Sequence, residues 1–419
     1  MSGDLLQQIQ SLQFRDKTAA ESLVLDFVRR TFPLDVVAVE LRPLAVSLNS
    51  FNGFLTLRDD KRLFFKTHTE TDTVIGEYYR AGMLAEAGYP VIQPLYSSTQ
   101  TGQQLLIYEV IDDPSVFDVS WHIEMGDTGT LAALAEAQNA TDDHLMQIYA
   151  ETLDWQPADE AAQSAIHQLF YHRLTGGRLE RFYGSLPSQN SNEVKVKLPD
   201  KIHLMQKVRR VRWNINGQIY DQTLDEIIVN SIRLLEPVQA GPSVVGHGDA
   251  HNGNVFFQQC GGEASLLYFD PAFAGRHHPL LDITKPLFHN IFAMWMYFPQ
   301  VKLEMTRISF EPDGDVWNVQ HDYMLHSVRE MFLRSKVQRV LLPVLRELRW
   351  RDWLRSDWRD FLKAALFCCP LLTMNLTDGA KFPPEICLLG LTMAVEMGGE
   401  SRSKRSLIDR VLDEVYEAI

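Results

Sequence analysis

His247, Asp249, His251, Asn252 and Asn254 fall within eight residues of one another, inside the stretch VVGHGDAHNGNVFF at 244–257. Three chemistries are open to such a set. His247 and His251 stand four apart, the spacing that puts two imidazoles on one helix face to bind zinc. Against this, Gly246, Gly248 and Gly253 interrupt any helix here, and the glutamate of the helical zinc motif is absent. The second reading is a polar turn with no chemical task. The third is phosphoryl transfer. That reaction needs a carboxylate to orient the attacking hydroxyl and take its proton, and oxygen ligands that hold a divalent cation against phosphates. Asp249 is followed five residues later by Asn254, and the next apolar run ends in LLYFDPA, which places Asp270. His247 precedes the carboxylate, where packing and a hydrogen bond can brace the loop.

The elements that must position these groups follow from periodicity. Apolar residues recur at helical spacing through AAESLVLDFVRRTF, so residues 1–32 read as helical up to Pro33. Residues 36–66 read as three antiparallel strands, with turn signals at NSFNG and RDDK and with RLFFK as the third strand. DTVIGEYYRAGMLAEAG (72–88) reads as an amphipathic helix closed by Gly88 and Pro90, and QQLLIYEVI (103–111) as a buried strand. The result is a small sheet carrying one helix. Farther on, Asn216-Gly217 between alternating residues signals a hairpin. TLDEIIVNSIRLLEPV (223–238) reads as a helix. SVVG and NVFFQ flank the polar loop as strands, and ASLLYFD (264–270) is another. Everything after about residue 280, including 319–349, reads as helical.

The bulk numbers narrow the class. The chain has 419 residues, 45% hydrophobic and 22% charged, with a formal net charge of −14. This acidity disfavours a nucleic-acid partner, since phosphate backbones select basic surfaces. Cys260, Cys368, Cys369 and Cys387 show neither disulfide nor zinc spacing and read as free thiols of a reducing compartment. The N-terminus has no secretory pattern, and the longest apolar run, AALFCCPLLTM, is too short for a bilayer. These features predict a cytoplasmic protein with no membrane partner, and leave oligomeric state open.

HGDAHNGN resembles the HGDxHxxN motif of the aminoglycoside phosphotransferase and choline kinase superfamily, distant relatives of protein kinases. FDPAFAGRHHPLLD (269–282) is similar to the metal-binding segment of fructosamine kinases in that superfamily. The resemblance implies an α+β, protein-kinase-like, two-lobed fold. It comprises an N-terminal helical segment (1–35), a nucleotide-binding lobe with a small antiparallel sheet and one helix (36–112), and a large, mainly helical lobe (113–419). The last carries the catalytic loop 247–254 and a variable substrate region, 113–240. The resemblance implies Asp249 as catalytic base, Asn254 and Asp270 as Mg²⁺ ligands, and His247 and Asp282 as structural support. It also implies ATP as phosphoryl donor and a hydroxyl-bearing small molecule as acceptor. A kinase-like lobe needs a lysine on its third strand for the phosphates and a glutamate on the next helix to hold it. LFFKTH offers Lys66 and VIGEYYRAGML offers Glu77. No GxGxxG loop occurs; SLNSFNGF (47–54), with Ser50, is the segment that could present backbone N–H groups to phosphate. Topology alone puts adenine near Tyr108 and Val110.

The acceptor stays open between amino sugars, aminoglycosides, choline-like amines, ketosamines and plain sugars. From Asp112 to His172 there are twelve acidic residues and no Lys or Arg; from Arg173 to Trp213 ten basic residues face three acidic. The first stretch (Asp112, Asp113, Asp118, Glu124, Asp127, Asp142, Asp143) reads either as a cup for a cationic substrate or as a solvated helical surface. The basic one (Lys207, Arg209, Arg210, Arg212) reads as a counterweight to it or as a phosphate contact. His277 and His278 read as core, surface or acceptor-facing, and HNIFAMWMYFP (289–299) as helix packing or a cation box. Rivals to the kinase reading are a nucleotide-binding pseudokinase, an adenylyltransferase on the same fold, and a zinc hydrolase.

Overall fold

Strand alternation decides which way the N-terminal lysine points. Leu63, Phe65 and Thr67 are buried on one face of their strand, so Phe64 and Lys66 take the other. In the computed structural model, which describes residues 3–42, 50–68, 73–98, 100, 102–185 and 194–419, this strand is the third of five. They are β1 (Val36–Leu41), β2 (Ser50–Leu57), β3 (Arg62–His68), β4 (Tyr96–Ser98) and β5 (Leu105–Glu109), in sheet order β1-β2-β3-β5-β4. All neighbours are antiparallel. The helix Thr73–Glu86 lies between β3 and β4 in the chain, directly after the three strands, as read from the sequence. It closes on Gly88 (φ 99°), whose left-handed backbone favours glycine.

The N-terminal helices Gly3–Leu12 and Lys17–Thr31 pack on the sheet. Leu6, Ile9, Val24, Phe27 and Val28 join Leu55, Leu63, Phe65, Leu105 and Ile107 in one apolar cluster. These helices therefore share a core with the sheet, and the compact unit they form is Met1–Pro114 together with Leu267–Ala274. One local expectation fails. NSFNG is not a turn: Ser50 to Gly53 lie inside β2, with Asn52 opposite Lys66. Gly53 serves close strand approach, because a Cβ there would stand 2.1 Å from the carbonyl oxygen of Glu40. Residues 47–49 of SLNSFNGF lie outside the described residues.

The second unit comprises Ser115–Leu266 and Gly275–Ile419. Its core is built on the helices Trp358–Leu372 and Pro384–Gly398, which are buried on nearly all sides. Packing is close enough that a Cβ on Gly398 would come within 2.5 Å of Ile227. Ile227 lies on the helix Leu224–Leu234, which Thr223 and Glu226 start with a reciprocal capping box. Asn216 and Gly217 (φ 54° and 84°) form the expected hairpin turn between Arg212–Ile215 and Gln218–Tyr220.

The all-helical expectation after residue 280 is corrected. Ile308–Asp313 and Val316–His321 form an antiparallel hairpin, and the second strand pairs in parallel with Arg212–Ile215. Period-two alternation around Asp313-Gly314, with Gly314 at φ 53°, is the signal. The helix expected over 319–349 starts only at Ser327, capped by His326. It widens at Val337–Leu341 ahead of Pro343, which has no N–H for the helical ladder.

The acidic stretch is also settled in part. Glu124 is buried against Lys302 and accepts from Arg329 at 2.7 Å; Asp142 is buried against Lys336 and Ser335; Asp143 meets Arg339. Glu124 and Asp142 serve the fold rather than a substrate cup, Asp143 pairs at the surface, and the partners of all three come from residues 302–339, not from the basic stretch. Arg209 of that stretch is itself buried, bonding Asp225 at 2.6 Å and the carbonyls of Tyr183 and Gly184. No helix among the described residues is long and apolar enough to cross a membrane.

Candidate active site

The polar loop hangs from the strand Gly241–Gly246, which pairs with Gly275–His277 on one side and Asp154–Gln156 on the other. Gly246 ends that strand where nothing larger fits. A Cβ there would lie 2.5 Å from Cγ of Asp282 and 2.6 Å from Nε2 of His277. Both groups are locked: Asp282 Oδ1 accepts from the Gly248 N–H at 2.6 Å and from His277 Nε2 at 2.8 Å, and Tyr149 donates its hydroxyl to the other oxygen. Burial alone pushes the Asp282 carboxyl up, but the bonds from His277, Tyr149 and Gly248 outweigh it and hold it below the usual range. Asp282 thus ties the loop to the helix that follows. Gly246→Ala is expected to lower stability by about 1–3 kcal/mol, since neither neighbour can retreat. An unchanged thermal midpoint would show that the loop relaxes freely.

Within the loop, bonds are local. His251 N–H donates to the Asp249 carbonyl at 2.8 Å, and Asn254 Nδ2 donates to the same oxygen at 2.9 Å. The five-residue interval between Asp249 and Asn254 is the span of this turn. His247 is fully buried, and its Nδ1 lies 3.4 Å from the Asp249 N–H. Asn252 N–H donates to the Asn290 carboxamide at 2.7 Å. His251 caps the short turn Asn252–Asn254, so its imidazole is engaged with Gly253 rather than paired with His247 over one helix face. No group of three His, Cys, Asp or Glu suited to a metal occurs among the described residues.

Asp249 carries its carboxylate in a mostly buried position. Its Oδ1 is shielded and makes no hydrogen bond; Lys285 Nζ stands 3.6 Å from it, and His251 Nε2 stands 4.0 Å from Oδ2. Lys285 is nearly fully buried and bonds His289 Nε2 at 3.0 Å, while His289 Nδ1 meets Tyr297 Oη at 2.8 Å. Burial, then the Lys285 charge, holds the His289 imidazole well below its usual range. Burial, then the Asp249 charge, pushes the Tyr297 hydroxyl up. Sequence reading passed over Lys285 and took His289 and Tyr297 only as part of a packing or cation-box segment. A signal existed: Lys285 is the only charged residue between Asp282 and Lys302, with His289 four residues on, one helical turn away.

In the first unit, Lys66 Nζ pairs with Asp270 Oδ1 at 2.9 Å. Asp270 follows the strand Glu263–Tyr268 and takes a left-handed backbone (φ 55°), which aspartate tolerates better than most residues. Glu77 lies in the helix Thr73–Glu86 and Ser50 opens β2; their side chains lie outside the described residues. Tyr108 sits in β5 opposite Phe64, and Val110 follows that strand. His277 and His278 are core residues: His277 bonds Asp282, and His278 packs on Phe361 with ring centroids 4.9 Å apart. The segment 289–296 is buried, as expected for helix packing.

Asn254 and Asp270 each offer a hard oxygen donor, the type that Mg²⁺ prefers and zinc does not require. With Asn254 Nδ2 turned to the Asp249 carbonyl, its hard amide oxygen is left as a ligand, and Asp270 offers a part-exposed carboxylate.

No protein-family model matches the sequence, and no curated protein matches it. Solved structures do. An ethanolamine kinase from Plasmodium vivax aligns over 93% of this chain and 93% of its own, at 11% identity and TM-score 0.47. An aminoglycoside phosphotransferase in complex with ADP and hygromycin B aligns over 91% and 98%, at 10% identity and TM-score 0.46. An amicoumacin kinase in complex with AMP-PNP, Ca²⁺ and Ami aligns over 90% and 93%, at 14% identity and TM-score 0.41. At such identities and TM-scores the likeness carries no residue role.

Proposed function

We propose that this chain is a small-molecule kinase of the aminoglycoside phosphotransferase and choline kinase superfamily, transferring the γ-phosphoryl group of ATP to an alcohol. The observation that carries the reading is the closed loop 247–254. It presents a carboxylate whose shielded oxygen makes no hydrogen bond and, five residues on, a carboxamide with its oxygen left over. Asp249 takes the proton of the attacking hydroxyl. Lys66 neutralises phosphate oxygens and, before nucleotide binds, pairs with Asp270. Asn254 and Asp270 hold Mg²⁺, which when bound offsets charge on the phosphates. Glu77 steadies Lys66, and backbone groups near Ser50, Tyr108 and Val110 take the nucleotide. His247 and Asp282 brace the loop. The acceleration comes from positioning and charge neutralisation, since phosphoryl transfer asks little covalent chemistry of the protein. The acceptor is a hydroxylated amine or sugar, and the site of action the cytoplasm.

The test is direct. Purified protein, Mg²⁺ and ATP are incubated with a library of amino sugars, aminoglycosides, amine alcohols, ketosamines and sugars, and products are read by mass. A phosphoryl addition supports the reading, and an adenylyl addition replaces it with nucleotidyl transfer. A thermal shift with no product on any compound favours a nucleotide-binding regulator. In the same assay Mg-ATP at about 100 times its dissociation constant is expected to stabilise the wild type by about 2.7 kcal/mol. Lys66→Ala is expected to lose most of that shift, and a full shift in the variant would remove Lys66 from the nucleotide site.

A further inference from the structure

We infer that Lys285 is a positioning residue for Asp249, clamping one carboxylate oxygen so that the other is held for the acceptor hydroxyl, and that His289 and Tyr297 hold the clamp. The inference rests on Asp249 being the base. The last torsion of an aspartate is broad and nearly two-fold, so an unheld carboxylate swings. Here the two oxygens differ. Oδ1 is shielded, has no hydrogen bond and lies 3.6 Å from Lys285 Nζ; Oδ2 lies toward His251 Nε2 at 4.0 Å.

The lysine is itself fixed. It is 4% exposed, and its ammonium donates to His289 Nε2 at 3.0 Å. An ammonium has no lone pair, so Nε2 must be the acceptor, and Nδ1 then carries the hydrogen and donates to Tyr297 Oη at 2.8 Å. Thr373 Oγ1 lies 3.5 Å from Nε2 on the same side. A neutral imidazole is required, and the downward displacement of His289 by burial and by Lys285 agrees with it. Lys285 and His289 stand one turn apart within the helix Thr284–His289, so the backbone sets their approach. A rigid cation within reach of a shielded carboxylate oxygen limits where the carboxylate points.

The experiment uses the full chain with Mg-ATP and water as acceptor, reading ADP release. Lys285→Met is expected to lower kcat about 10- to 100-fold, the range for a small misplacement of a reacting group, with KM for ATP changed less than about twofold. Lys285→Arg recovers part of the loss. His289→Phe, which removes the acceptor without touching Asp249, behaves like Lys285→Met, and His289→Gln, whose carboxamide oxygen accepts, loses less. Thermal midpoints of Lys285→Met, Asp249→Asn and the double variant give a second readout. Asp249→Asn is expected to soften the effect of Lys285→Met, because no charge is then left unpaired. Turnover by Lys285→Met within about twofold of wild type, or midpoint shifts that simply add, overturns the clamp and leaves the kinase reading standing. Absence of ATP turnover and of any phosphorylated product in the wild type removes the kinase reading, and the clamp falls with it.

Discussion

Asp249→Asn is expected to leave the protein folded and able to bind Mg-ATP while lowering phosphoryl transfer by about 10²–10⁴-fold, the contribution of a positioned general base. The substitution keeps the shape of the side chain. Asn254 and His251 bond the backbone carbonyl of Asp249, not its side chain, so the turn survives. The amide oxygen can still face Lys285, so no buried cation is stranded. What disappears is the proton acceptor proposed for the reaction. Comparing the acceptor found by screening with water as acceptor sharpens the result, because loss on both isolates the base from acceptor binding. Transfer by the variant within about threefold of wild type would exclude Asp249 from the chemistry. Loss of the Mg-ATP thermal shift would instead assign it a binding role.

The loop was legible in the sequence because its interactions are local. The interval from Asp249 to Asn254 encodes one turn closed on one carbonyl, and Gly246 and Gly248 mark where a side chain or a right-handed backbone does not fit. The sheet was legible for a similar reason: alternation through RLFFK puts Lys66 opposite Phe65 across the strand. The partner of Lys66 was not legible. Asp270 lies 204 residues away, and nothing in either segment specifies the pairing. Lys285 marks the same boundary. Its burial could be suspected from the apolar run around it, but its approach to Asp249 depends on how helix and loop pack.

Charge patterning misled for the same physical reason. A stretch without Lys or Arg looks like a surface reserved for a cation, and beside it a basic stretch looks like the counterweight. The fold pairs Glu124, Asp142 and Asp143 with residues 302–339 instead. Charges that are far apart in the chain and buried together cannot be told from solvated ones by composition. The hairpin at 308–321 failed differently. Its alternation was present, but flanking helical periodicity outweighed a short signal whose strand finds its neighbour at Arg212–Ile215.

Below neutral pH the second unit is expected to lose stability through His278. Burial, reinforced by the charge of Arg355, pushes this imidazole down to about 3. Its Nδ1 accepts the Leu280 N–H at 3.2 Å as the cap of the helix Pro279–Asp282, a role that a protonated ring cannot fill. The ordinary histidine titrates near 6.5, so between that value and about 3 the unfolded chain holds a proton that the folded one excludes. Stability therefore falls as pH falls, by about 1.4 kcal/mol per unit for one such group. His321, pushed down to about 4 by burial, and His289 act in the same direction. Glu396 acts against them. Burial raises it to about 7, so the folded state holds a proton between its ordinary 4.5 and about 7 that the unfolded state lacks. His167, whose imidazole burial also pushes down, makes four histidines against one glutamate and a net loss in acid. His278→Asn separates this residue from the rest, because asparagine caps as well and does not titrate. The ring lost from Phe361 lowers the variant's midpoint at neutral pH, and the gap to wild type is expected to narrow by about 5 °C between about pH 7 and about pH 4.5. Parallel midpoint curves for the two proteins across that range would show that His278 accepts its proton in the fold.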